Sequence, residues 1–202
     1  MILKNKNIFD YNKDNDLEKI ELCQSGNSEA FSFLVEKYKN LVYKLALRMT
    51  GNYHDSEDIS QESFLKVYRS LHQYNPKYSF SSWLYKITLN IIRDRMRKKD
   101  YAIPFSASHP EQDPEEMANP IFPGGDTIAI NPEERQIRQE SINNLQSAIK
   151  ILPLSHREII MLRHIQNLSY YEIGRILNIP VNSVKVRLHR ARVQLKFLLE
   201  KK

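Results

Sequence analysis

The 202-residue chain has one cysteine, Cys23, only five glycines and no long apolar run. A single thiol closes no internal disulfide, and six scattered histidines beside it do not make up a four-ligand zinc set. No stretch approaches the roughly 18 uncharged apolar residues of a spanning helix, so no insertion into a membrane is expected. The first residues, with Lys4, Lys6 and Asp10, lack the apolar core of a secretion signal, and a cytoplasmic protein is expected. The apolar/polar alternation of a half-buried strand occurs nowhere, which leaves an all-α fold. The histidines lack metal-ligand spacing, so no metal is expected, and no catalytic residue or cofactor is expected either.

What the chain does have is charge, unevenly spread. Thirty Lys and Arg against 24 Asp and Glu give +6. Between Asp100 and Glu134 there are eight acids and no Lys or Arg, so the remainder, with 30 basic and 16 acidic residues, carries +14. The same segment holds six of the nine prolines and the pair Gly124-Gly125, a composition that sustains neither a long helix nor a core. It reads as an acidic linker. The expected organisation is a tail over 1–15, a helical domain over 16–99, the linker over 100–132 and a second helical domain over 133–202.

Apolar residues before the linker recur at i, i+3, i+4 and i+7: Phe31, Leu34, Val35, Tyr38, Leu41, Val42, Leu45 and Met49, with Ser28 as N-cap and Gly51 as stop. A helix from Asp55 to about Leu71 and another from Ser81 to Arg97 follow, and a short one, Asp16 to Gln24, precedes. Beyond the linker the spacing predicts a helix over 133–152. Ser155-x-x-Glu158 and Ser169-x-x-Glu172 both read as capping boxes, each opening a helix. The second of these helices meets Asn178-Ile179-Pro180, where Asn suits the left-handed conformation, and a last helix carries Val184, Leu188, Ala191, Leu195 and Leu198 on one face. Two short helices about a tight turn, the second basic, form a helix-turn-helix pattern.

Three segments carry chemistry. The last helix sets Lys185, Arg187, His189, Arg190, Arg192 and Lys196 off its apolar face, the electrostatic footprint of a major-groove reader. Between Tyr68 and Tyr85 seven ring side chains are interleaved with Arg69 and Lys77, and rings beside cations are what single-stranded nucleic acid binding uses. Of these, Tyr68, Phe80 and Trp83 are expected in the core, while Tyr74, Tyr78 and Tyr85 are candidates for stacking on bases. The basic run Arg93, Arg95, Arg97, Lys98 and Lys99 suits duplex backbone. By contrast, Asp55, Glu57, Asp58 and Glu62 cluster on one helix. Such a patch repels DNA and is expected to meet a basic protein surface.

With these residues in view, DSEDISQESFLKVYRSL, FSSWLYKITLNIIRD and LSYYEIGRILNIPVNSVKVRLHRAR, in this order, resemble an extracytoplasmic-function sigma factor of bacterial RNA polymerase. The resemblance covers Asp16 to Asp100 and Glu133 to Leu199 and implies two helical domains, sigma-2 and sigma-4, that join core polymerase to a promoter. It implies that Asp55, Asp58, Gln61, Glu62 and Leu65 dock on the clamp helices of the largest subunit, while sigma-4 meets the flap region. Tyr74, Asn75, Lys77, Tyr78 and Ser79 fall in the loop that captures an unstacked −10 base. Trp83, Tyr85, Lys86, Asn90, Arg93 and Arg97 fall on the helix that recognises and melts the −10 element. Glu172, Arg175, Asn182, Ser183, Lys185, Val186, Arg187, His189 and Arg190 match the −35 reader. The partners implied are core RNA polymerase, promoter DNA as duplex and single strand, and an anti-sigma factor.

The departures from the family pattern bear on which promoter is read. The loop Asn75-Pro76-Lys77-Tyr78-Ser79 lacks the expected glycine, Asn182-Ser183 stands where Gly-Thr is common, and Val186 replaces a common serine. Two rival readings follow from the residues. A nucleic-acid enzyme would need carboxylates that converge, whereas Asp55, Glu57, Asp58 and Glu62 point around a helix. A helix-turn-helix regulator of duplex DNA without affinity for polymerase would need neither the aromatic loop nor the acidic helix.

Overall fold

The computed structural model describes residues 13–102 and 131–200, and within them every element is helical. The first half is a bundle of α1 (Lys13–Gln24), α2 (Glu29–Thr50), α3 (Tyr53–Ser70) and α4 (Phe80–Ala102), with a 3₁₀ turn at Leu71–Gln73. The second half is α5 (Pro132–Ile151), α6 (Leu154–Ile160) running into one π-helical turn at Met161–Ile165, α7 (Tyr170–Leu177) and α8 (Val181–Glu200). Between Ala102 and Asn131 the expected proline-rich linker lies outside the described residues. The helix α4 continues three residues past the expected boundary at 99.

Local chemistry sets most of the ends. Gly51 closes α2 at φ 68°, and its N–H donates to the Leu47 carbonyl at 2.8 Å. Asn178 ends α7 at φ 56°. Ser169 makes the expected capping box, its hydroxyl accepting from Glu172 N–H while the Glu172 carboxylate accepts from Ser169 N–H. Two expected caps are corrected. The side chain of Ser28 caps nothing: Asn27 Oδ1 accepts from the N–H groups of Glu29 and Ala30 instead, at 3.0 and 3.3 Å. The α6 start has Pro153 at its N-cap with no side-chain bond, so Ser155 and Glu158 form no box. Pro153 holds an extended ψ of 143° there, and Glu158 is drawn away to a partner across the molecule.

Two apolar clusters form the core. One lies inside the first half and joins Ile20, Leu34, Val42, Phe64, Val67 and Leu84. The other runs across both halves, bringing Leu45, Met49, Ile59, Tyr85, Leu89 and Ile92 together with Ile149, Leu152, Ile159, Leu162, Ile173 and Val184. Burying each such side chain contributes about 1.5–3 kcal/mol. At this seam the buried Arg157 donates to the carbonyls of Met49, Lys150 and Leu152, satisfying carbonyls near the ends of α2 and α5. The α1 helix is held by Asp16, itself buried, which accepts from Tyr38 Oη and Lys37 Nζ, each at 2.5 Å.

Candidate nucleic-acid and protein interfaces

The acidic helix α3 is anchored by Asn52, whose side chain caps Asp55 N–H at 2.8 Å, and by Ile59, Phe64 and Val67 facing inward. This leaves Gln61, Glu62 and Leu65 outward, Leu65 with 57% of its surface exposed. Asp58 and Glu62, one turn apart, share a partner not evident in the sequence: Arg95 of α4 forks between them, Nη1 to Asp58 Oδ2 and Nη2 to Glu62 Oε2, both at 3.2 Å. Arg95 therefore leaves the expected DNA-backbone run. Its charge offsets part of the acidic patch, and Leu65 is the exposed apolar centre of what remains.

The loop 74–79 is built by small polar contacts. Asn75 Oδ1 accepts from Lys77 N–H at 3.0 Å, its carbonyl accepts from Tyr78 N–H at 3.1 Å, and Ser79 Oγ accepts from Ser82 N–H to start α4. Lys77 is exposed and Tyr78 half-buried. The expectation for Tyr74 and Tyr85 is overturned. Tyr74 is buried against Phe80 and Trp83, donates to the Tyr78 carbonyl at 2.5 Å, and has its phenol pushed up to about 12 by burial and then by the Asp16 charge. Tyr85 has no exposed surface, and its hydroxyl donates to Gln166 Oε1 at 2.5 Å. Tyr68, expected in the core, is half exposed with its ring edge-on to Phe31. Trp83 is half-buried beside Phe80, as expected of a core-facing ring.

Along α4, Trp83, Lys86, Asn90, Arg93 and Arg97 recur at three- and four-residue steps and so share one face. Lys86 and Asn90 are exposed, and Arg97 pairs with Asp94 at the surface. Arg93 is committed elsewhere: its Nε and Nη2 donate to the two carboxylate oxygens of Glu158 at 2.5 and 2.9 Å, and Nη1 to Asn90 Oδ1 at 3.0 Å. The Glu158 side chain is only 3% exposed.

In the helix-turn-helix, α7 and α8 meet where Gly174 lies under the turn. A Cβ at Gly174 would stand 2.8 Å from the Ile179 carbonyl oxygen, whose own N–H donates to the Gly174 carbonyl at 2.8 Å. Val184, Leu188 and Ala191 are buried, so the opposite face of α8 presents Asn182, Ser183, Lys185, Val186, His189 and Arg190, with Arg187 half-buried. His156 joins Asn182, Ser183, Val186, Arg187 and Arg190 around a hollow of about 380 Å³. Glu172 is used by the capping box, and the Arg175 guanidinium sits over the Tyr78 ring.

The loop and α7 thus meet. A cavity of about 390 Å³ lies between them, walled by Tyr78, Trp83 and Lys86 on one side and Tyr171, Glu172 and Arg175 on the other. Sequence reasoning missed Arg157, Glu158, Gln166 and Tyr171. Glu158 reads only as a cap in the sequence, and no local pattern marks the bonds that Arg157, Glu158 and Gln166 make to Met49, Arg93 and Tyr85 in the other half of the chain. No helix among the described residues is long and apolar enough to cross a membrane, and none of them form a group of three metal-ligating side chains.

Comparison with known proteins falls on the same two halves. Residues 34–101 match the family model described as Sigma-70 region 2, and residues 142–195 that described as Sigma-70, region 4. The ECF RNA polymerase sigma factor SigW of Bacillus subtilis is 38% identical over 181 residues, which are 89% of this chain and 94% of that protein. The ECF RNA polymerase sigma-E factor of Escherichia coli is 32% identical over 175 residues, 86% of this chain and 88% of that one. Among solved structures, CnrH in complex with the cytosolic domain of CnrY shares the fold, with a TM-score of 0.63 at 24% identity over 93% of this chain and 98% of that one.

Proposed function

Since the chain belongs to the extracytoplasmic-function family of RNA polymerase sigma factors, which direct core polymerase to promoters, we propose a division of that work among its surfaces. The exposed face of α3, with Asp55, Asp58, Gln61, Glu62 and Leu65, docks on the clamp helices of core polymerase. The loop from Tyr74 to Ser79 receives an unstacked −10 base, with Tyr78 as its ring. Buried Tyr74 shapes that loop, while Lys86, Asn90, Arg93 and Arg97 follow the −10 strand along α4. The outer face of α8 reads the −35 element as duplex, with Val186 among polar and cationic neighbours.

The observation that carries this reading is the coexistence on one chain of two different cationic surfaces and a carboxylate face. An aromatic loop continuing into a cationic helix stripe suits single strands, and a helix-turn-helix suits duplex. The α3 face suits neither, since its charge repels phosphate, and it is this face that a duplex-only regulator would not need. We further propose that the protein is itself no enzyme, works in the cytoplasm without cofactor or metal, and is held by an anti-sigma factor, as is common in the family. The boundaries 16–99 and 133–202 are proposed as the functional domains.

Run-off transcription on genomic fragments, with core polymerase alone and with this protein added, tests the reading: promoter-specific transcripts are expected only in the second reaction. Leu65→Lys is expected to lower affinity for core by at least about tenfold with unchanged melting temperature, because Leu65 is exposed and its loss should come from the complex alone. Wild-type affinity in that variant would remove α3 from the interface.

A further inference from the structure

The hollow between α6 and α8 has one wall that the helix-turn-helix does not supply. Ser183, Arg187, Arg190 and Gln194 recur along α8 at four- and three-residue steps and so form one stripe, beside the stripe of Asn182 and Val186. His156 meets that stripe from α6, half-buried, and lines the hollow together with Arg187 and Arg190. The other lining residues are Asn182, Ser183 and Val186, so the charge around the hollow is of one sign and no carboxylate lines it. Such a lining suits an anion. The ring of His156 is also held: Nδ1 lies 2.7 Å from Gln194 Oε1. A carbonyl oxygen only accepts, so Nδ1 carries a proton, and Nε2 is the ring nitrogen left for a ligand. On a neutral ring Nε2 offers a lone pair, which suits no phosphate oxygen. On an imidazolium it offers an N–H and a charge, and histidine is the side chain that ordinarily makes this change between about pH 5 and 8.

We propose that this hollow seats one backbone phosphate of the duplex beside the −35 element, with His156 donating to it through Nε2 and Gln194 holding the ring in place. The inference rests on the reading of α8 as the −35 reader. It adds a residue from outside the helix-turn-helix, and a contact whose strength depends on proton uptake. Arg187 and Arg190 are the charged groups that α8 brings to the hollow, while α2 and the π-helical turn, which also pack on α6, bring none there. A phosphate seated among these three side chains favours the charged form of the ring, so DNA binding draws a proton from solvent onto His156. A complex that takes up a proton is strengthened by acid. Affinity for −35 duplex therefore rises as the pH falls from about 8 towards about 6, and levels off once the ring is charged in the free protein as well.

The test uses holoenzyme, the full chain with core polymerase, on a duplex promoter fragment found by run-off and kept closed by low temperature. Wild type is compared with His156→Phe, which keeps a ring but has no proton to give, and with His156→Lys, which stays charged, at about pH 6 and about pH 8. His156→Phe is expected to bind about tenfold more weakly than wild type at the lower pH and about equally at the higher. Its salt slope is expected to be smaller by about one at the lower pH alone. His156→Lys is expected to keep the tighter affinity at both. A set of duplexes, each with one phosphate beside the −35 element replaced by a neutral methylphosphonate, locates the contact. At one position the wild type is expected to lose what His156→Phe has already lost, and His156→Phe to lose nothing further. A ratio of wild-type to His156→Phe affinity that is the same at both pH values would make His156 a packing residue and overturn the proposal. A ratio that changes with pH while no single phosphate matters would give the hollow to another anion, such as an acidic protein segment, and overturn the duplex contact equally. Should circular dichroism show His156→Phe unfolded, His156→Lys and the methylphosphonate set decide. Absence of promoter-specific run-off by the wild type would instead remove the sigma-factor reading.

Discussion

Val186 shows how far a single residue can be read. Taking Val184, Leu188 and Ala191 as the inward face and stepping about 100° per residue puts Val186 on the far side of the helix, and the structure leaves it 50% exposed among Asn182, Arg187 and Arg190. An exposed valine gains nothing from water, whereas in a major groove it has a partner in the thymine C5-methyl. Val186→Ser is expected to weaken binding by about 1 kcal/mol only at −35 sequences with thymine at one position, within the scale of a mismatched pair. Replacing each −35 thymine by uracil in turn checks this, and wild-type affinity unchanged at every position would leave Val186 without a role in readout. Other residues were less legible. Tyr85 and Tyr68 exchanged their expected places, because periodicity tells how many faces of a helix are apolar but not which one a distant helix will cover. Tyr85 is buried with the help of Gln166, 81 residues away in sequence.

At the scale of the element, legibility followed how local the determinant is. The end of α2 at Gly51, the Ser169 box and the left-handed Asn178 rest on contacts within a few residues and stand as read, while α8 turns Val184, Leu188 and Ala191 inward as its period required and leaves Leu195 and Leu198 half-buried. The start of α6 fails as a box because Glu158 finds a stronger partner in Arg93, and a charged fork outcompetes a neutral cap. Gly174 belongs here, since its hydrogen in place of a side chain lets α7 approach the turn into α8. Gly174→Ala would press a methyl to 2.8 Å from the Ile179 oxygen, which is backbone and cannot swing away. The helix pair is expected to lose about 1–3 kcal/mol, the usual cost of overpacking. Duplex −35 binding should fall while single-stranded −10 binding, in another element, does not. Equal losses in gel-shift assays of the two probes would show that Gly174 supports the whole chain and not this turn.

At the scale of the molecule, the two segments matched by separate family models, 34–101 and 142–195, share one apolar cluster. Composition pointed to two domains, and it could not reveal that Leu89 and Ile92 on one side and Ile159 and Ile173 on the other would be common property. A shared core has a thermodynamic signature, because surface exposed by either half on unfolding includes surface that the other half covers. Urea should therefore unfold the free chain in one cooperative step, with an m-value reflecting the area of both halves and not of one. The sole tryptophan makes this measurable: Trp83 reports on the first half from the wall of the cavity, while far-ultraviolet circular dichroism reports on helices in both. The two signals are expected to change together in the wild type, which is the test of two-state behaviour. In Glu158→Gln, with the buried carboxylate and its hold on Arg93 gone, the tryptophan and circular-dichroism midpoints are expected to separate as the halves melt on their own. Divergent midpoints in the wild type would mean that the halves do not share the core at all.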